Sequence, residues 1–98
     1  MSDILIDVWA DFTASHRCAE GVEHPHGWRI TGTFKVPAYT DARVYRASID
    51  ELAKLWNDTT LPAHLDWSED ILRAVLTLNN CVDAKVSRPA ERIAVRPA

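Results

Sequence analysis

The sequence predicts an α+β domain in which a four-stranded antiparallel sheet carries two helices on one face. Two stretches near the N-terminus alternate apolar and polar residues with a period of two, two central stretches place apolar residues at helical spacing, and the period of two returns before the C-terminus. The resulting order, strand–strand–helix–helix–strand–strand (ββααββ), lets one apolar sheet face be covered by two helices, a two-layer solution. At 98 residues the chain has the size of one domain, taken as residues 1–98.

The first strand is expected over residues 4–16. Ile4, Ile6, Val8, Ala10, Phe12 and Ala14 share one face, while Asp7, Asp11, Thr13 and Ser15 share the other with Leu5 and Trp9. The second strand is expected over 24–36, where Trp28, Ile30, Phe34 and Val36 alternate with Arg29, Thr31, Thr33 and Lys35. Residues 17–23 between them are few enough for a hairpin connection, and Pro37 to Val44 reads as turn and crossing segment. The first helix is expected from Ser48 to Trp56, with Ser48 and Glu51 at capping-box spacing and Ile49, Leu52, Ala53 and Trp56 as its stripe. Asn57 to Pro62 breaks it. The second helix is expected from Ser68 to Leu78, with Asp66 and Glu69 offering a box and Ile71, Leu72, Val75 and Leu76 its buried face. Asn79-Asn80 stops it. Val82, Ala84 and Val86 then share a strand face, Pro89 marks a turn, and Ile93 with Val95 forms a short closing strand.

Nearly half the residues are apolar, so a real core is possible, although a domain this small buries proportionally little surface and oligomerisation is an open route to more. A net charge of −3 without a basic block offers no electrostatic footprint for nucleic acid or an anionic membrane. The first residues are too polar for a signal peptide, and no apolar run reaches membrane-spanning length. Two cysteines, Cys18 and Cys81, are too few for a disulfide scaffold, which makes the cytoplasm the simplest location.

Three of the four histidines fall close together. His16 continues the apolar face of the first strand, and His24 and His26 lie on the matching face of the second. A hairpin closed around residues 17–23 makes His16 and His24 cross-strand neighbours, with Cβ atoms roughly 5 Å apart. Three imidazoles converging in a partly apolar space need partners. They are either separately hydrogen-bonded or, the favoured reading, ligands of one metal ion. Three histidines with an open position are the catalytic type of zinc site, and iron or nickel tolerates the same ligands.

The same residues carry a family likeness. Phe12-Thr13-Ala14-Ser15-His16-Arg17 resembles the "FxAxHR" opening of the 6-pyruvoyl- and 6-carboxy-tetrahydropterin synthases, and His24-Pro25-His26-Gly27-Trp28 resembles their "HGHxY" segment, with Pro25 for the glycine and Trp28 for the tyrosine. Val44 to Leu52, Ser68-Glu69-Asp70-Ile71 and Val86 to Val95 are more weakly similar to the family's first helix approach, its "TxENL" segment and its closing strand pair. The resemblance implies the T-fold, whose protomers assemble around an axis as a trimer or hexamer into β-barrels with active sites between subunits. It implies catalytic Zn2+ on His16, His24 and His26. It also implies a lyase activity on 7,8-dihydroneopterin triphosphate, by triphosphate elimination or side-chain cleavage, in pterin or 7-deazaguanine (queuosine) biosynthesis.

Cys18 stands at the spacing of the family's catalytic cysteine, with Glu20 or Glu23 as substitute base, and His64 matches the catalytic histidine of "LDHxxLN". The family's aspartate there is replaced by Ala63. Where the family anchors its pterin with the glutamate of "VxVxET", this chain has Arg88 followed by Pro89, and an arginine offers no acceptor. Glu91, three residues on, is the substitute anchor. Arg88 itself suits a carboxylate or phosphate, so a divergent zinc protein with another anionic ligand is the second reading. A non-catalytic assembly braced by structural zinc, with Cys18 as fourth ligand, is the third.

Overall fold

The computed structural model describes residues 2–17, 23–65 and 67–98, apart from the side chains of Glu23 and His24. It is an α+β arrangement of two helices on an open, mixed five-stranded sheet. The elements in chain order are β1 (Asp3–Arg17), β2 (Glu23–Pro37), α1 (Arg43–Trp56), β3 (Thr59–Thr60), a 3-10 turn (Ala63–Leu65), α2 (Ser68–Leu76), β4 (Cys81–Arg88), a second 3-10 turn (Pro89–Glu91) and β5 (Ile93–Val95). The sheet order is β3-β1-β2-β4-β5.

The long β1–β2 ribbon follows from the alternation. Phe12 and Ala14 of β1, with Trp28, Ile30, Phe34 and Val36 of β2, are buried beneath the helices, whereas Leu5 and Trp9 stand exposed on the opposite face. Ile49, Ala53 and Trp56 of α1 and Ile71, Leu72 and Val75 of α2 close the core from above.

The sheet departs from the expected four antiparallel strands. The segment that breaks the first helix docks on the outer edge of β1 and adds β3, parallel to it at Ala14 and Ser15. Asp58 adopts a left-handed conformation (φ 59°) that turns the chain out of the helix, and its amide donates to the Thr13 carbonyl at 2.6 Å. The Asn57 side chain accepts from the Thr13 amide at 2.9 Å, and the Leu61 amide donates to the Ser15 carbonyl at 2.8 Å. Two residues are too short a strand to show any periodicity.

Both helix starts differ from the capping-box reading. Helix α1 begins five residues before Ser48, because the Asp41 carboxylate accepts from the Arg43 amide at 3.0 Å and satisfies the first turn from there. Ser48 is consequently inside the helix, its hydroxyl turned to the Val44 carbonyl at 3.4 Å. At α2 the Trp67 amide donates to the Asp70 carboxylate at 3.3 Å, and Asp66, the expected cap, lies outside the described residues. The helix ends at Leu76, and Thr77 and Leu78 continue it only as a tightened turn bonded to Ala74 and Val75.

Strand β4 is interrupted by a register shift between Thr33 and Phe34 of β2, where Thr33 pairs with Asp83 but Phe34 with Cys81. Val82 is the extra residue at that bulge and is exposed rather than aligned with buried Ala84 and Val86. Cys81, beside it, is a free thiol that partial burial pushes above its ordinary pKa.

Candidate metal centre

The site lies where β1 and β2 run past the helices toward their connection. Cross-strand register pairs His16 with His24 and Ala14 with His26, so all three histidines occupy adjacent positions at one end of the ribbon. His16 is buried (6 % exposed) on the core face. Its ring meets that of His26 edge-on, with centroids 4.7 Å apart at 65°. Both rings stand nearly perpendicular to Trp28, at 5.2 and 5.7 Å. The His24 side chain lies outside the described residues.

Trp28 is the floor of this cluster. Its indole N–H donates to the Ala14 carbonyl at 3.0 Å, which fixes the ring plane, and Phe12 stacks parallel to it at 6.2 Å. The indole is 1 % exposed, so its hydrogen bond is a buried one whose loss leaves a polar group unsatisfied.

The turn after β4 folds back over His26. Glu91 Oε1 lies 2.5 Å from His26 Nδ1, and Glu91 Oε2 lies 3.6 Å from Arg88 Nη1. The Arg88 guanidinium sits 5.6 Å from the centre of the Trp28 ring, and its buried Nε has no hydrogen-bond partner among the described residues. Periodicity places Arg88 on the histidine face, but the contact between Glu91 and His26 is made by the 3-10 turn at Pro89–Glu91 and the left-handed Arg92 (φ 59°) that closes it. A three-residue turn has no period from which that contact could be read. Pro89 was its only local signal.

Cys18 and Glu20 lie outside the described residues. His64 is exposed in the first 3-10 turn and lines a groove with Leu55, Trp56, Leu65, Asp70 and Arg73, to which neither His16 nor His26 contributes. A separate recess of about 380 Å³ is lined by Asp11, Phe12, Thr13, Gly27, Trp28, Asn57, Pro89 and Ala90. It is bounded by the residues next to His26 and Glu91 in the chain and has the size of a small-molecule pocket. Asp11 at its rim is paired through two nitrogens with Arg29, at 2.7 and 3.1 Å, and that hydrogen-bonded guanidinium holds its carboxyl below the usual carboxylate range.

The spacing of His16 and His26 fits a divalent metal. Two imidazoles sharing an ion at Zn–N distances near ~2.1 Å have ring centres roughly 5 Å apart, and the His16–His26 spacing of 4.7 Å is of that order. Imidazole nitrogens suit zinc, iron or nickel. Among the described residues no group of three His, Cys, Asp or Glu side chains is placed to share an ion, and the side chain of His24, the third expected ligand, lies outside the described residues. No helix among the described residues is long and apolar enough to cross a membrane. No protein-family model matches the chain, and no curated protein matches it significantly.

Proposed function

We propose that this protein is a cytoplasmic, zinc-dependent enzyme of the 6-pyruvoyl- and 6-carboxy-tetrahydropterin synthase type, acting on 7,8-dihydroneopterin triphosphate. The single observation that carries the reading is the meeting of His16 and His26 at the ribbon end, with His24 in cross-strand register with His16. When bound, zinc supplies Lewis-acid polarisation of the substrate side chain's oxygens. The chain's own residues do the rest. Cys18 or Glu20 removes a side-chain proton, and His64 relays protons as triphosphate leaves or the side chain is cleaved. Glu91 keeps spare acceptor capacity at Oε2, since an ionised carboxylate has about four lone-pair sites, and it accepts from the pterin edge. Because His64 lines a different groove from the histidines, its relay role requires a second copy of the chain, so the active form is a homo-oligomer.

Incubation of zinc-loaded protein with dihydroneopterin triphosphate is expected to yield a pyruvoyl- or carboxy-tetrahydropterin. His26→Ala is expected to weaken zinc binding more than ~100-fold, beyond the loss usual for a residue that only orients a ligand. An intact substrate after prolonged incubation, with zinc bound, overturns the enzymatic reading. Stoichiometric zinc in the His16, His24 and His26 triple alanine variant overturns the metal reading.

Arg88 favours a second reading, a zinc protein with a different anionic ligand. Its guanidinium lies beside the cluster, where the resembled family needs an acceptor. Calorimetry separates the two. Glu91→Gln weakens binding most if the ligand is a pterin ring, and Arg88→Ala weakens it most if the ligand is an acid or phosphate.

A further inference from the structure

We infer that Glu91 is the positioning residue of His26, holding its imidazole in the tautomer that presents Nε2 as a metal ligand. The inference rests on the metal reading above and assigns Glu91 a role that needs no pterin. An ionised carboxylate only accepts hydrogen bonds, so Nδ1 at 2.5 Å must carry the proton. A neutral ring protonated at Nδ1 keeps its lone pair on Nε2, and a metal requires that lone pair. Carboxylate–histidine pairs of this kind orient ligands and raise their basicity.

Glu91 is itself held by an ion pair with Arg88. Arg88 Nη1 approaches its second oxygen at 3.6 Å, and the same guanidinium rests over Trp28. Trp28 is anchored to the Ala14 carbonyl, and Ala14 pairs with His26. The chain His26–Glu91–Arg88–Trp28 therefore closes on itself across β1, β2 and β4. Glu91 stands behind His26, on the Nδ1 side, and its 37 % exposure, against 19 % for His26, leaves it at the rim. Arg88, on this account, neutralises the carboxylate that orients the histidine.

Two measurements on the full chain test this. Long-range proton–nitrogen correlation spectra of the metal-free protein should show His26 as the Nδ1–H tautomer in wild type, with that bias lost in Glu91→Ala. Zinc affinity by chelator competition should fall ~10–100-fold in Glu91→Ala, and less in Glu91→Gln, whose amide oxygen still accepts from Nδ1. The two variants also guard against misfolding, since an exposed Glu-to-Gln change preserves shape. Wild-type-like zinc affinity in Glu91→Ala, or an Nε2–H tautomer in the wild type, overturns the inference while leaving the histidine site standing. A wild type that binds no zinc overturns the metal reading and the ligand role of Glu91 with it.

Discussion

Trp28 ties the histidine end of the sheet to the core. It stacks on Phe12, donates to Ala14 and faces both His16 and His26. Trp28→Ala is expected to cost about 3–5 kcal/mol of stability, as for other large aromatic truncations. Trp28→Phe keeps most of the packing and loses chiefly the indole hydrogen bond, at about 0.5–1.5 kcal/mol. Urea denaturation of both checks the order. The Asp11–Arg29 pair gives a pH signature. The Asp11 carboxyl is held below its ordinary range, chiefly by the hydrogen-bonded guanidinium, so the pair's contribution is present at neutral pH and disappears as pH falls through that lowered value. Asp11→Asn should lower stability slightly at neutral pH, with the difference vanishing in strong acid. Both side chains are largely exposed, which keeps the effect small. A difference that grows toward low pH would contradict the pairing. At this scale the positions of His16 and His26 were legible in the sequence, because period two assigns a face to every strand residue. The contact of Glu91 with His26 was not legible, since it depends on how one short turn folds back.

Gly32 shows what the helix layer demands of the strands beneath it. It lies on the core face of β2 between Ile30 and Phe34, and an added Cβ would come within 2.8 Å of Phe34 Cε2 and 3.2 Å of Ile49 Cδ1. Both neighbours are fully buried and have nowhere to retreat. Gly32→Ala is therefore expected to destabilise by about 1–3 kcal/mol through overpacking. Gly27, with nothing within 4 Å of its hypothetical Cβ, is the control, and Gly27→Ala should stay within about 0.5 kcal/mol of wild type. Equal thermal shifts for the two would show that α1 does not press on β2 as described. The long elements were readable because each repeats its period several times. What escaped was set by single contacts: Asp41 starting α1 early, Asp58 steering the chain into β3, and a bulge that turns Val82 outward. Each acts once, and a pattern that occurs once leaves no periodic trace.

The whole molecule is longer than its residue count suggests. Its extents are 50 × 27 × 23 Å and its radius of gyration is 14.0 Å, against about 13 Å for a compact domain of ~100 residues. The long axis is the β1–β2 ribbon, since fifteen residues at roughly 3.4 Å each span that distance. Strand β3 covers the outer edge of β1 only near Ala14 and Ser15, leaving the stretch from Asp3 to Phe12 without a strand partner on that side among the described residues. Leu5 (65 % exposed) and Trp9 (58 %) lie on the helix-free face of the same stretch. A long unpaired edge bearing large apolar side chains is an association surface unless something blunts it. The proposed second copy, needed to bring His64 to the histidines, is the occupant that would use it. Light scattering at micromolar concentration should therefore report a ring-sized oligomer. Trp9→Lys should shift it toward smaller species with an unchanged circular dichroism spectrum, because Trp9 contributes nothing to the buried core. Catalytic activity should fall in parallel with assembly. A wild type that scatters as a monomer, or a Trp9→Lys variant that dissociates yet keeps full turnover, would show that each chain's site is complete without a neighbour.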